Sequence, residues 1–142
     1  MLSFRTRFGR HVSIRLRKER IIWLTTVDST GDDAPWPRPV WFHWDGRTVL
    51  IFSQKSKAKL RHIFHNPRVA LNFNTDREGG DVAVIVGDAH ILEREPSRKR
   101  VEDYLKKYRR GIRDLGMTAE KFKNSFAVPI QIIPRSLRGF VE

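Results

Sequence analysis

Short stretches in which apolar residues alternate with polar or small ones recur along the chain and predict strands. The first, Ile21–Val27, is β-branched and aromatic and ends at the turn-forming residues 28–33. Val40–Trp44 and Thr48–Ser53 flank Asp45-Gly46, a strong two-residue hairpin signal, and therefore predict an antiparallel pair. Three further runs complete six predicted strands: Arg68–Asn74, Val82–Leu92 with a bulge at Gly87, and Ala127–Val141 with edge or break positions at Pro129 and Pro134.

Helical spacing of apolar residues appears in three places. Leu60, Ile63 and Phe64 predict a short helix from Lys57 to His65, which Asn66-Pro67 ends. A second helix opens at Pro96-Ser97 and carries an apolar stripe that includes Tyr104 and Tyr108, which we interpret as core residues. A third covers Thr118–Lys123, with Thr118 as its cap.

Hairpin order with few helices predicts a mainly β fold, a closed or nearly closed antiparallel barrel of about six strands. We expect residues 1–142 to form one domain, because the length suits a single core and the chain shows no repeats and no linker. The absence of cysteine excludes disulfides, thiolate metal sites and a cysteine nucleophile, so any redox chemistry needs a cofactor. No apolar run has the length of a signal peptide or a membrane span, which predicts a soluble, cytoplasmic protein.

The positive charge of the chain is unevenly distributed. The net charge is +12, and residues 1–20 hold seven bases and one acid while residues 98–113 hold eight bases and two acids. Residues 46–75 contain six bases and no acid. Such a field attracts nucleic acid, an anionic membrane or a phosphorylated or polycarboxylate small molecule, and the composition leaves all three open. A merely solubilising surface explains the two terminal segments equally well, and the role of residues 1–20 stays open.

Lysines are concentrated where a predicted strand gives way to a helix, in Ser53-Gln54-Lys55-Ser56-Lys57-Ala58-Lys59-Leu60-Arg61. Positive charge at the amino end of a helix opposes the helix dipole, and the first backbone amides lack acceptors. A bound anion would relieve both effects, so hydroxyls, free amides and ammonium groups together describe a phosphate or carboxylate site. A solvated basic surface is the alternative interpretation.

Alternate prolines in Ala34-Pro35-Trp36-Pro37-Arg38-Pro39-Val40 would remove three hydrogen-bond donors from one edge of an extended segment. That edge cannot pair fully with another strand. The neighbouring Trp36, Arg38, Trp41 and Phe42 would suit a planar aromatic anion, and protection of an edge against aggregation is the alternative.

Two histidines, His62 and His65, stand three residues apart on the first predicted helix. No acid lies near them in sequence, so we interpret them as surface or structural residues and predict no metal site. The chain also has no glycine-rich nucleotide-binding motif.

Several residue strings, taken together, resemble the pyridoxamine 5′-phosphate oxidase-like split β-barrel family, and more closely its actinobacterial branch of coenzyme F420-dependent oxidoreductases. The resemblance covers the chain from about Ile21 onward and is carried by Trp36-Pro37-Arg38-Pro39-Val40-Trp41-Phe42, Ile51-Phe52-Ser53-Gln54, Ala58-Lys59-Leu60-Arg61-His62-Ile63 and Asn66-Pro67-Arg68-Val69-Ala70-Leu71-Asn72-Phe73.

The resemblance implies a homodimer with a flavin or deazaflavin in each of two clefts between the subunits. The cofactor-binding residues it implies beside the ring are Pro37, Arg38, Pro39, Val40, Trp41 and Phe42, with Trp41 and Phe42 as the cleft wall. Those implied around the phosphate are Ser53, Gln54, Lys59 and Leu60. Lys55, Lys57 and Arg61 are our candidates for contact with the polyglutamate tail of F420. No catalytic acid or base is identified.

One departure bears on the cofactor. Members of the family that bind flavin mononucleotide (FMN) often have an arginine beside the phosphate-binding lysine, and this chain has Ala58 there. We therefore predict a coenzyme F420-dependent oxidoreductase that transfers a hydride to an unsaturated organic substrate. The alternatives are an FMN-dependent oxidase or reductase of the same fold and, from another class, a basic barrel that binds nucleic acid.

Overall fold

Seven antiparallel strands form one curled sheet in the computed structural model, which describes residues 2–141. The order across the sheet is β2-β1-β5-β6-β7-β4-β3. The strand bounds are β1 Ile22–Val27, β2 Pro35–Val40, β3 His43–Trp44, β4 Val49–Ser53, β5 Arg68–Asn72, β6 Val82–Ile91 and β7 Val128–Phe140. The mainly β fold predicted from the sequence is confirmed.

Five short helices accompany the sheet: α1 Arg7–Lys18, α2 Ala58–His65, α3 Arg98–Lys107, α4 Arg109–Asp114 and α5 Ala119–Ser125. The side chains of Thr6, Ser97 and Thr118 cap α1, α3 and α5 by accepting a hydrogen bond from a backbone amide of the first turn. Helix α1, whose role the sequence left open, buries Val12 and Leu16 in the core of the sheet. Among residues 2–141, no helix combines the length and the apolar character needed to cross a bilayer.

The predicted strand Val40–Trp44 is wrong as a single element, and its division explains the shape of the sheet. Val40 ends β2 at one end of the sheet and His43 begins β3 at the other. The chain from Val40 to His43 reaches at most about 11 Å, whereas the outermost strands of a flat seven-stranded sheet would lie about 29 Å apart. The sheet must therefore curl until its two ends approach each other. The predicted hairpin at Asp45-Gly46 is confirmed, because Trp44 pairs with Val49.

The bulge expected at Gly87 is present. The register between β6 and β7 shifts between Val86 and Gly87, so that Gly87 faces Pro134 and Val86 faces Ser136. Pro134 therefore occupies the irregular point of a strand that is otherwise interior to the sheet. A Cβ on Gly87 would lie 2.6 Å from the backbone oxygen of Ile133, so the close approach of the two strands requires glycine here.

The buried hydrophobic residues form two clusters. The larger lies inside the curl and includes Phe42, Leu71, Phe73 and Ile85. The smaller lies between β4 and the helices α3–α5 and is built on Tyr104, Tyr108, Ile112 and Phe122. Both tyrosines are at most 1 % exposed, which confirms their interpretation as core residues.

Candidate functional site

The outer edge of β2 is free of strand partners within residues 2–141, because β2 is the last strand of the sheet on its side. The amide of Asp28 donates to Ala34 O over 3.1 Å, which makes this the first hydrogen-bonded pair of the β1–β2 hairpin. In an antiparallel pair the backbone N–H and C=O groups of successive residues point alternately towards and away from the partner strand. The backbone nitrogen and carbonyl of residues 35, 37 and 39 therefore point away from β1. All three are prolines, so the outer edge offers carbonyl acceptors there but no donors. The predicted donor-poor edge is confirmed.

The start of α2 lies across from this edge and is rich in positive charge. Lys57 is the N-cap of α2, and its side chain does not cap the first turn of the helix. Ser56, directly before it, has a φ of 64°, a left-handed conformation that costs a non-glycine residue energy. Ser56 thus lies in the turn that separates β4 from α2.

A cleft of about 350 Å³ joins the two features that the sequence analysis singled out. Strand β2 contributes Trp36, Arg38 and Pro39 to its walls, and α2 contributes Lys57, Ala58, Lys59 and His62. Leu24 and Thr26 of β1 complete the lining. The proline strand and the lysine-rich helix, which are about twenty residues apart in sequence, therefore face one another across a single cavity.

The electrostatic character of the cleft is positive. Burial, together with the nearby charges of Lys57 and Arg38, lowers the pKa of Lys59 below its usual range. None of the residues that line the cleft is acidic. Arg38 donates to Pro37 O over 2.9 Å, and its guanidinium carbon lies 5.2 Å from the centre of the Trp36 ring. The three cations therefore share a cavity that no acidic residue lines, an arrangement that attracts anions.

A buried histidine forms the floor of the cleft. The side chain of His62 is 1 % exposed, and its Nδ1 lies 2.8 Å from Thr26 Oγ1. On the other side of the ring, Arg61 Nη2 lies 3.4 Å and Asp28 Oδ2 lies 3.9 Å from His62 Nε2. The Trp36 ring packs against the imidazole at 5.3 Å with an angle of 67° between the planes. These contacts fix the orientation of Trp36 at the cleft.

The sequence did not predict Leu24, Thr26 and His62 as cleft residues, whereas Trp36 is among the aromatic residues that it did predict. A signal existed for His62, because it follows Lys59 by three residues and so shares its face of α2. Thr26 carried no such signal, because its contact with His62 spans 36 residues. His65, by contrast, is exposed at the end of the helix.

Of the site residues predicted from the sequence, Arg38, Pro39, Lys57 and Lys59 line the cleft. Pro37 is exposed on the same strand, and Lys55 is exposed before α2. Ser53 is buried and donates to Gln54 O over 2.8 Å, whereas Gln54 turns towards Ser125 of α5. Leu60 packs against the core. One chain therefore brings three of the four charged residues of the predicted set into the cleft, and it leaves Lys55 and most of the uncharged ones outside.

The expected aromatic wall requires a correction. Phe42 is completely buried in the core, where its ring centre lies 6.3 Å from that of Phe73, and Val40 is also buried there. Trp41 stacks on Tyr108 with 4.6 Å between ring centres and 2° between planes. These side chains leave the cleft because the chain crosses here from β2 to β3 and turns inward. Trp36 supplies the aromatic surface instead.

The backbone that leaves β2 is held by the helical layer. Tyr108 Oη accepts from the amide of Phe42 over 2.9 Å, and Lys107 Nζ donates to Phe42 O over 3.0 Å. Burial and the charge of Arg20 lower the pKa of Lys107 to about 8, and burial raises that of Tyr108 to about 12. Helix α3 thus fixes the end of the strand that forms one wall of the cleft.

A family model matches residues 10–128, and its description is pyridoxamine 5′-phosphate oxidase. The match covers most of the chain and includes every residue that lines the cleft. No curated protein sequence matches the chain.

Solved structures share the fold over nearly the whole length. A candidate pyridoxamine 5′-phosphate oxidase of Listeria innocua is 25% identical, with 91% of this chain and 94% of that chain covered and a TM-score of 0.66. A heme storage protein of Vibrio cholerae is 14% identical, with 94% and 95% covered and a TM-score of 0.69. An F420 reductase is 19% identical, with 89% and 94% covered and a TM-score of 0.67. The last two likenesses concern the fold alone.

Proposed function

Because the chain belongs to the pyridoxamine 5′-phosphate oxidase family, we propose that it is an oxidoreductase that binds coenzyme F420 in the cleft between β2 and α2. The observation that carries the proposal is the environment of Lys59. This lysine lies partly buried beside Lys57 and Arg38, in a cleft without an acidic residue. An anionic ligand would supply the missing counter-charge. The substrate would be an unsaturated organic molecule that accepts a hydride.

The donors of the cleft fit an anionic deazaflavin. Lys57 and Lys59 would hold the phosphate, together with the uncapped amides at the start of α2. Arg38 and Trp36 would contact the ring, because a guanidinium and an indole suit the edge and face of a flat, electron-rich heterocycle. His62 is a positioning residue in this scheme, since its contact with Trp36 orients that wall.

When bound, reduced F420 supplies the hydride, and the protein supplies binding, orientation and the exclusion of water. Because residues 35, 37 and 39 are prolines, the outer edge of β2 offers the ligand no backbone hydrogen-bond donor at these positions. Hydrogen bonds from this edge to the ring of the ligand must then come from side chains, of which Arg38 is the one on that strand that carries charge.

A homodimer is part of the proposal. Cavities that bury a ligand of drug size usually measure about 300–1,000 Å³, and the cleft of one chain, about 350 Å³, lies at the lower end of this range. It can enclose part of a deazaflavin cofactor. The remainder of the cofactor would then lie against a second subunit or along exposed Lys55.

Ala58 supports F420 over FMN. It lines the cleft between Lys57 and Lys59, at a position where its methyl group brings no charge. A phosphate at this point therefore receives one cationic contact fewer than an arginine would provide. The polyglutamate tail of F420 spreads negative charge over a longer distance, which suits lysines that are distributed along residues 55–59.

Fluorescence titration tests the proposal. The purified protein is titrated with F420 and, separately, with FMN, and the Lys59→Gln variant is compared with Lys121→Gln, a control at an exposed lysine on α5. We expect saturable F420 binding that Lys59→Gln weakens about tenfold or more, as the loss of a charged hydrogen bond implies, and that Lys121→Gln leaves within about twofold.

Three results would contradict the proposal. Saturable FMN binding without F420 binding would replace the cofactor. Hemin binding without F420 binding would make the protein a heme binder, like its structural neighbour from Vibrio cholerae. Retention on single-stranded nucleic acid with a steep salt dependence, again without F420 binding, would favour the nucleic-acid alternative. Oxidation of reduced F420 in the presence of a panel of enones and quinones then tests the hydride transfer.

A further inference from the structure

The basic helical segment 98–113 contains charges that the proposed cofactor site does not use. Lys106, Arg109 and Arg113 follow one another at intervals of three and four residues, so they form one stripe along α3 and α4. Tyr108 is both the C-cap of α3 and the N-cap of α4, since its amide donates to Tyr104 O over 3.2 Å and its carbonyl accepts from the amide of Ile112 over 2.8 Å. Like charges at this spacing repel one another, and within residues 2–141 none of the three cations forms an ion pair.

A groove of about 480 Å³ runs beside this stripe. Its apolar lining consists of Leu105, Ile112, Met117 and Ala119, and its rim carries the three cations. Glu102 is the one acid among the lining residues, and Arg98 holds its carboxylate at 3.0 Å. The groove therefore combines an apolar floor with an uncompensated positive rim.

The far wall of the groove is fixed by the end of α4. Gly116 has a φ of 73°, its amide donates to Arg113 O over 2.8 Å, and the amide of Met117 donates to Ile112 O over 3.2 Å. This is the pairing of a Schellman motif, which turns the chain back over the last turn of the helix and brings Met117 towards Ile112. The groove is thus held open by backbone hydrogen bonds. The unbranched side chain of Met117 can adapt to the shape of a ligand.

We propose that this groove binds a small amphiphilic anion, a molecule with an apolar chain or ring and a terminal phosphate or carboxylate. Charge complementarity carries the proposal, because the three unpaired cations border an apolar floor that a simple inorganic anion would leave exposed. Nucleic acid is a poorer match, since its phosphates need a basic surface and its bases need aromatic stacking partners. The floor of the groove is aliphatic. The site is separate from the cofactor cleft and shares no lining residue with it.

Calorimetric titration with octyl phosphate tests the proposal, with inorganic phosphate and octanol as the two halves of the ligand. We expect saturable binding of octyl phosphate that is at least tenfold tighter than that of either half. The double variant Arg109→Gln/Arg113→Gln should weaken it about tenfold or more. Arg110→Gln is the matched control, because Arg110 is an exposed cation on the same helix outside the groove, and it should change the affinity less than about twofold.

The Met117→Gln variant measures the apolar contribution to binding. It should weaken the binding of octyl phosphate and leave the binding of inorganic phosphate unchanged. Equal binding of octyl phosphate and inorganic phosphate, or an equal loss in Arg110→Gln, would overturn the proposal in favour of a diffuse basic surface. Competition by an oligonucleotide that binds more tightly than octyl phosphate would assign the stripe to nucleic acid. Dissociation of a dimer by Met117→Gln in sedimentation would show that a second copy covers the groove. Titration of the same variants with F420 tests the cofactor site separately, so a failure of the groove proposal can be distinguished from a failure of the proposed function.

Discussion

Replacing Tyr108 by phenylalanine removes a single oxygen atom from a side chain that is completely buried. That oxygen accepts from the amide of Phe42 over 2.9 Å, and its proton points to Phe42 O at 2.9 Å or to Arg20 O at 2.8 Å. Phe42 O keeps its bond from Lys107 Nζ in the variant. Because Arg20 is an exposed residue, we expect water to replace the hydroxyl at its carbonyl. The amide of Phe42 has no such replacement.

The expected cost follows from that one amide. A buried donor without an acceptor costs about 1–3 kcal/mol, and the cavity left by one oxygen adds little. For a chain of this length, such a change lowers the melting temperature by about 3–10 °C. Urea unfolding followed by tryptophan fluorescence measures the free energy directly, and Trp41, stacked on the substituted ring, reports on the site itself.

A loss of less than about 0.5 kcal/mol in Tyr108→Phe would refute the reasoning, because it would mean that the amide of Phe42 finds water or another acceptor. An unchanged m-value is the internal control that the denatured state is the same in both proteins. The variant should still bind F420, since the substituted atom contacts the backbone between β2 and β3 and does not line the cleft.

Three further predictions concern pH, packing and the free edge. Burial and Arg20 lower the pKa of Lys107 to about 8, below the value near 10.4 in an unfolded chain, so the unfolded state binds more protons between these values. The stability of the wild type minus that of Lys107→Met should therefore rise between pH 8 and pH 10 in urea titrations, and a flat difference would contradict the low pKa. Gly87→Ala should cost about 1–3 kcal/mol in the same assay, because the new Cβ would meet Ile133 O at 2.6 Å; a neutral result would show that the bulge relaxes. Pro37→Thr restores an outward amide on β2 and should increase concentration-dependent association in light scattering, whereas unchanged scattering would show that the prolines do not protect this edge.

Local signals in the sequence predicted much of the fold. Asp45-Gly46 marked its hairpin, Thr118 marked a helix cap, and Gly87 marked a bulge, because each of these structures depends on the conformational preferences of one or two residues. The prediction of a single strand over Val40–Trp44 is wrong, because it too depends on a local pattern. Alternation of apolar residues predicts an extended, half-buried segment but does not reveal which strands lie beside it, and here the neighbours change between Val40 and His43.

The cleft was predictable in its charges and only in part in its aromatic wall, because Trp36 lines it whereas Trp41 and Phe42 do not. Lys59 and Arg38 stood out because unpaired charge and missing donors are visible in sequence. Phe42 and Trp36 are both aromatic neighbours of the same prolines, and which of them faces the core depends on where the chain turns inward. The contact between Thr26 and His62 joins separate elements, so no spacing in the sequence announces it.

The short passage from Val40 to His43 imposes a length limit on the chain. Only two residues connect the two outermost strands. With extra residues there, the two ends of the curled sheet would no longer be held close together, and β2 would move away from α2. The exposed turn at residues 29–33, between β1 and β2, is under no comparable limit on its length. Grafting a flexible loop into this turn should be tolerated, while the same graft after Val40 should disable the cleft without touching any residue that lines it.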